Sequence, residues 1–240
     1  MDERVRTRRA ILTSAASGAV LFACTKTKSE DGEDPKAEAV VTPAEDLMQE
    51  HGVIERILLV YDEAARRLEG NAGLDLDQLV MAANIVRQFV EGYHEKNEEE
   101  FVFPRLEAHD KEAALTRVLR AQHERGREIT AEIVRRATRG ARDAELAGLL
   151  RGFSRMYRPH AAFEDTRAFP AFRALMTDVE YRALGDQFED REHEKLGKDG
   201  FENAVAEIAK IESALGIGDL AAFTPPAPSA AAPSSSAERG

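Results

Sequence analysis

Two stretches of this 240-residue chain, His94 to Pro104 and His160 to Pro170, repeat one arrangement of reactive side chains. Counting from its histidine, each carries Glu at the fourth following position (Glu98, Glu164), a second acid at the fifth (Glu99, Asp165), Phe at the ninth (Phe103, Phe169) and Pro at the tenth (Pro104, Pro170). Residues four apart share a face of a helix, so each stretch sets an imidazole beside a carboxylate. Two more histidines, His51 and His123, stand alone on their own segments, each with a Gln within two residues before it (Gln49, Gln122). Together His51, His94, Glu98, His123, His160 and Glu164 form a donor set of imidazoles and carboxylates without sulfur. Such a set suits iron, manganese or zinc and disfavours copper(I) or a thiolate zinc site. Two carboxylates able to bridge, with two imidazoles for each ion, describe a dinuclear centre. How the six groups divide between the ions is open at this level. A position left free on one ion would take a small ligand such as O2, NO or peroxide.

The elements that must position these groups are helices. Leu47, His51, Ile54, Leu58, Tyr61, Ala65 and Leu68 fall at alternating spacings of four and three, one stripe of a helix that contains His51. Thr42-Pro43-Ala44-Glu45 has the composition of its capped start. A second helix is expected from about Asp75 to Leu106, with Leu79, Ala83, Val86, Val90, His94, Glu98 and Phe101 inward, and Pro104 should kink or end it. A third spans about Lys111 to Thr138 through Leu115, Leu119, His123, Gly126, Thr130 and Ile133, and Gly140 stops it. The fourth, about Asp143 to Met176, aligns Leu146, Leu149, Phe153, Tyr157, His160 and Glu164, and Pro159 predicts a bend beside the site. Glu98 and Glu164 thus lie on otherwise apolar stripes, where a carboxylate is costly unless paired or bound to a cation. The expectation is an all-α, up-down-up-down four-helix bundle built from two similar halves, with ligands meeting in its core. Additional C-terminal helices over 177–222 should pack outside the bundle or along its end.

Other polar residues rank below these. Tyr157 precedes His160 by one turn, and its hydroxyl is expected at the bundle edge. Tyr93 should face away from the centre. Glu95, Glu99 and Glu100 read as solvated, although one of them can orient a ligand imidazole. His109 and His193 read as surface residues.

Composition bounds the rest. A hydrophobic content of 43% can build a core, while 6% aromatic residues and no Trp suit helices better than a sandwich of sheets. The net charge of −11 and the lack of a basic stripe argue against nucleic-acid binding. Residues 1–23 read as an export signal: Arg4, Arg6, Arg8 and Arg9 precede an apolar run, and Thr7-Arg8-Arg9-Ala10-Ile11-Leu12 resembles a twin-arginine motif. Leu21-Phe22-Ala23-Cys24 resembles a lipobox, which would place a lipid on Cys24 and the protein at the membrane of the cell envelope. Cys24 is the single cysteine, so no disulfide forms within the chain. Residues 24–42 read as a flexible tether and 223–240 as a disordered Pro/Ala/Ser-rich tail.

The paired His-x3-Glu-acid-x3-Phe-Pro stretches, with His51 and His123, resemble the hemerythrin family in its HHE cation-binding branch, over roughly residues 43–176. That resemblance implies a four-helix bundle holding two non-haem irons, with family ligands falling on His51, His94, Glu98, His123 and His160. Oxygen-carrying members have a second His four residues after the one at His123, where this chain has Arg127. They also use an Asp five residues after the last His, here Asp165, whereas the internal repeat selects Glu164. The chain is thereby more similar to the iron-sensing and iron-centre-repair members. The function expected is a di-iron protein that binds or senses a small oxidant outside the cytoplasm. A di-iron enzyme (a peroxidase, or one that repairs iron centres) and iron buffering without turnover are the alternatives.

Overall fold

A computed structural model describes residues 41–226. The export signal, the Cys24 lipid site, the tether up to residue 40 and the tail from 227 onward lie outside the described residues. Helix α1, Pro43–Glu69, starts in a capping box: Glu45 donates its backbone N–H to Thr42 Oγ1 and returns its carboxylate to the Thr42 N–H. Helix α2 occupies 76–108 and is capped by Asp75. Helix α3 is Ala113–Thr138, and Gly140 follows it with a φ of 80°, a left-handed conformation that glycine adopts without strain. Helix α4 occupies 144–173 from an Asp143 cap, α5 is Asp178–Leu196 and α6 is Gly200–Leu215. Among the described residues there is no strand, and no helix is long and apolar enough to cross a membrane.

Two helices depart from α geometry where the reactive residues lie. In α2, π turns cover Val86–His94 and Glu98–Val102, and in α4 they cover Glu164–Ala168. Such wide turns are uncommon and concentrate at functional sites. They also explain how α2 runs on past Pro104, which was expected to kink or end it and does not end it. The Phe103 N–H reaches back five residues to the Glu98 carbonyl, and Arg120 Nη2 donates to the Glu99 carbonyl at 3.3 Å, which Pro104 has no N–H to satisfy. Pro159 lies within a stretch of α4 that stays α-helical to Phe163, so the change of geometry begins at Glu164.

The apolar interior forms two clusters, and every reactive histidine stands between them in sequence. One holds Ile54, Tyr61, Val90, Ile129, Ile133, Phe153 and Tyr157. The other holds Leu47, Val102, Phe103, Leu119, Ala168, Phe169 and Phe172. A polar layer therefore interrupts the core at one level of each of the first four helices. Helices α5 and α6 complete both clusters. Tyr181, Leu184 and Phe188 join the second, and Ala204, Ile208, Ile211 and Leu215 join the first. Arg56 of α1 clamps Glu212 of α6 through Nε and Nη2 at 2.9 and 2.6 Å.

Candidate metal centre

The six expected residues converge. His51, His94, Glu98 and Glu164 form one group whose ligand atoms lie within 4.8 Å of one another, and Glu98, His123, His160 and Glu164 form a second. Both carboxylates belong to both groups. Glu98 Oε2 lies 3.6 Å from His94 Nε2 and 3.4 Å from His123 Nε2. Glu164 Oε2 lies 3.4 Å from His51 Nε2 and 3.1 Å from His160 Nε2. His123 Nε2 and His160 Nε2 are 3.1 Å apart. All six residues are buried.

The opposite nitrogen of each ring is tied to an oxygen outside this cluster. His51 Nδ1 meets Asp165 at 2.7 Å, His94 Nδ1 meets Glu50 at 2.7 Å, His123 Nδ1 meets Glu99 at 3.1 Å, and His160 Nδ1 meets Gln122 at 2.9 Å. These oxygens accept, so each Nδ1 carries a proton and, in the neutral ring, each Nε2 turns a lone pair inward. The pattern follows the repeat of the sequence. The acid after each glutamate serves the histidine of another helix, and the residue before each solitary histidine (Glu50, Gln122) serves the histidine of a paired stretch. The repeated Phe has the same logic: Phe169 stacks on His51 at 5.6 Å and Phe103 on His123 at 5.5 Å, walling off the rings. Asp165 accordingly lies against the outer nitrogen of His51, while Glu164 faces inward.

What lines the cage is therefore lone pairs. Glu98 and Glu164 have no hydrogen-bond partner at any of their carboxylate oxygens, and none reaches His51 Nε2. The close approaches to imidazole nitrogen bring acceptor toward acceptor. Burying two carboxylates in this way is unfavourable without positive charge. Protons can supply some of it. Burial, with the Glu164 charge beside it, pushes Glu98 well above the ordinary carboxylate range. Burial alone would depress His51, but the Asp165 carboxylate bonded to it and the Glu164 carboxylate beside it outweigh that and raise the ring to about 9. Burial depresses His123 to about 4 despite Glu99. One or two dications would satisfy both acids and all four imidazoles at once, and the residues present fit that role.

Two polar residues beside the cage were placed differently by the sequence. Glu95, expected in solvent, is fully buried; Tyr157 Oη donates to Glu95 Oε1, and Arg127 Nη2 donates to both Glu95 and Glu99 at 2.5 Å. Tyr157 is buried at the centre of the molecule and not at its edge, with its ring 5.1 Å from that of His160. Gly126 makes room for it, since a Cβ there would lie 2.8 Å from the phenol oxygen. Glu95, Glu99 and His123 also gather closely, but the Arg127 guanidinium already occupies the place of a cation among them. Tyr93 faces α5, its hydroxyl donating to the Phe188 carbonyl at 3.2 Å. Glu100, His109 and His193 are exposed, and Glu100 pairs with Arg191. Glu50 escaped notice in the sequence, where its position before His51, matched by Gln122 before His123, was the available signal.

A helical interior that spends its polar groups on a buried nitrogen and oxygen cage defines a metal-binding protein. The hemerythrin HHE cation binding domain matches residues 42–172. Uncharacterized proteins of Mycobacterium bovis and Mycobacterium tuberculosis are 43% identical over 226 residues, covering 90% of this chain and 88% of theirs. No solved structure matches it. The chain belongs to the hemerythrin HHE cation-binding family, and that membership implies a metal cofactor, with iron first among the candidates.

Proposed function

We propose that this protein holds two non-haem iron ions and binds or senses a small oxidant (O2, NO or peroxide) outside the cytoplasm. The observation that carries this reading is the cage lined by unpartnered lone pairs. His51 and His94 would serve one ion and His123 and His160 the other, with Glu98 and Glu164 shared between them. Glu164 is assigned in preference to Asp165 because Asp165 is engaged at His51 Nδ1. The alternation of the two apolar clusters along successive helices supports an antiparallel, up-down-up-down arrangement of α1 to α4. Iron held there would supply a one-electron couple. The chain's own residues hold four imidazoles in one tautomer, keep the cage dry with Phe103 and Phe169, and share negative charge between the two positions. Tyr157, whose hydroxyl could have served as a general acid, directs it to Glu95 instead of into the cage. That favours binding over turnover.

Stopped-flow mixing of the reduced, iron-loaded full chain with O2, NO or peroxide tests the reading. A spectral change that saturates at stoichiometric ligand is expected, whereas sustained consumption of peroxide would replace sensing by catalysis. The N-terminal motifs support export and a lipid on Cys24. Metabolic palmitate labelling should mark the wild-type chain and not Cys24→Ala; an unlabelled wild type removes the anchor.

A further inference from the structure

A line of aromatic rings runs from the cage into the core. The ring of Tyr157 lies 5.1 Å from that of His160, Phe153 stacks on Tyr157 at 4.5 Å, and Tyr61 meets Phe153 edge-on at 5.3 Å. Tyr61, Phe153 and Tyr157 are each no more than 1% exposed. The chain has no Trp and four Tyr, so phenols are its most easily oxidised rings. Two of them stand in this line. Tyr93 and Tyr181 lie outside it, the first donating to the Phe188 carbonyl and the second accepting from the Ala44 N–H at the start of α1.

The two phenols in the line differ in what their hydroxyls touch. A phenol that loses an electron becomes a strong acid, and a positive charge left on it in the core is costly. The electron therefore leaves readily only where a base takes the proton. The Tyr157 hydroxyl donates to Glu95 Oε1, and Arg127 holds the other oxygen of that carboxylate. Arg127 also holds Glu99, the acid behind His123, so the support of Tyr157 is tied to the support of the cage. Gly126 reserves the space of the phenol oxygen. Tyr61 Oη, by contrast, is buried with no hydrogen-bond partner. Tyr157 alone of the two thus has a candidate metal ligand against its ring and a carboxylate at its hydroxyl.

Resting on the di-iron reading above, we infer that Tyr157 is a one-electron donor to the metal centre: when hydrogen peroxide meets a chain holding a single ferrous ion, Tyr157 supplies the second electron and keeps the radical. One Fe(II) becomes Fe(III). The Tyr157 O–H bond breaks, its electron passing by way of His160 to the centre and its proton to the Glu95 carboxylate. The peroxide O–O bond is cleaved, and with those two electrons and two protons from solvent it leaves as two water molecules. Each chain reacts in this way once, until an outside reductant restores the phenol. Tyr61, which lacks a base, stays reduced.

The test uses the iron-loaded full chain, reduced by one electron per chain, mixed with one equivalent of hydrogen peroxide and frozen for electron paramagnetic resonance. Iron content is measured on every sample. An organic radical is expected whose spectrum narrows when the chain is made with ring-deuterated tyrosine. Tyr157→Phe should abolish it and Tyr61→Phe should leave it in place. Gly126→Ala keeps the phenol but pushes it off Glu95, since the added Cβ would lie 2.8 Å from the phenol oxygen, and should lower the radical yield several-fold. Four results overturn the inference while leaving the di-iron reading standing: no tyrosine radical in iron-loaded wild type, a signal that survives Tyr157→Phe, a signal lost in Tyr61→Phe, or a yield indifferent to Gly126→Ala. A wild-type chain that takes up no iron defeats both together.

Discussion

Each cage imidazole here is fixed from behind by an oxygen on a different helix, so a candidate ligand and its support can be removed separately. Glu98→Gln or Glu164→Gln takes a shared carboxylate out of both groups and should lower metal content itself. Asp165→Asn removes only the acceptor behind His51. It should retain metal while weakening it by about 10–100-fold, the usual cost of an orienting partner, measured by chelator competition. Equal metal loss in Asp165→Asn and Glu164→Gln would mean that the inward and outward roles are misassigned. Tyr157→Phe leaves Glu95 without its phenol and should cost about 1–3 kcal/mol in chemical denaturation with metal content unchanged, the range for an orphaned buried acceptor. The convergence of the six cage residues was legible because imidazole and carboxylate recur at one offset in two places. Their supports were less so. Glu99 and Asp165 follow the repeat, but Glu50 and Gln122 differ in type, and only a contact between helices links them.

At the scale of elements, the sequence marked the helices closely because caps and apolar stripes are local. Asp75, Asp143 and Thr177 cap the helices that follow them. It failed where the helix changes its turn. Glu95 reads as solvated at the period of an α-helix, but it lies directly after nine residues of π turns, which rotate the following side chains onto another face. Pro104 reads as a kink or an end for the same reason, since no sequence rule supplies the Arg120 side chain that covers the freed carbonyl. Arg127 then becomes an element-level brace between α2 and α3, its side chain 29% exposed against a fully buried Glu95. Arg127→Met strands that carboxylate and should destabilise by about 3 kcal/mol, the lower end for a broken buried pair. A denaturation midpoint equal to wild type would show that Glu95 is satisfied without Arg127.

Over the whole molecule, a polar layer is enclosed above and below by apolar clusters to which all six helices contribute. The C-terminal pair is part of that enclosure and not an appendage. Ile211→Ala in α6, fully buried, should cost about 2–5 kcal/mol, as other large-to-small core changes do. A near-neutral result would detach α6 from the core. Because the cage is satisfied only by positive charge, cation binding and folding should be linked. Free metal at about 100 times its dissociation constant should raise stability by about 2.7 kcal/mol, read as a higher melting temperature that a chelator reverses. The most direct measurement is metal analysis of the purified full chain, alongside His94→Ala and His160→Ala. About two irons per wild-type chain are expected, with a clear fall in each variant. Less than one metal of any kind in the wild type, or unchanged occupancy in the variants, would contradict it.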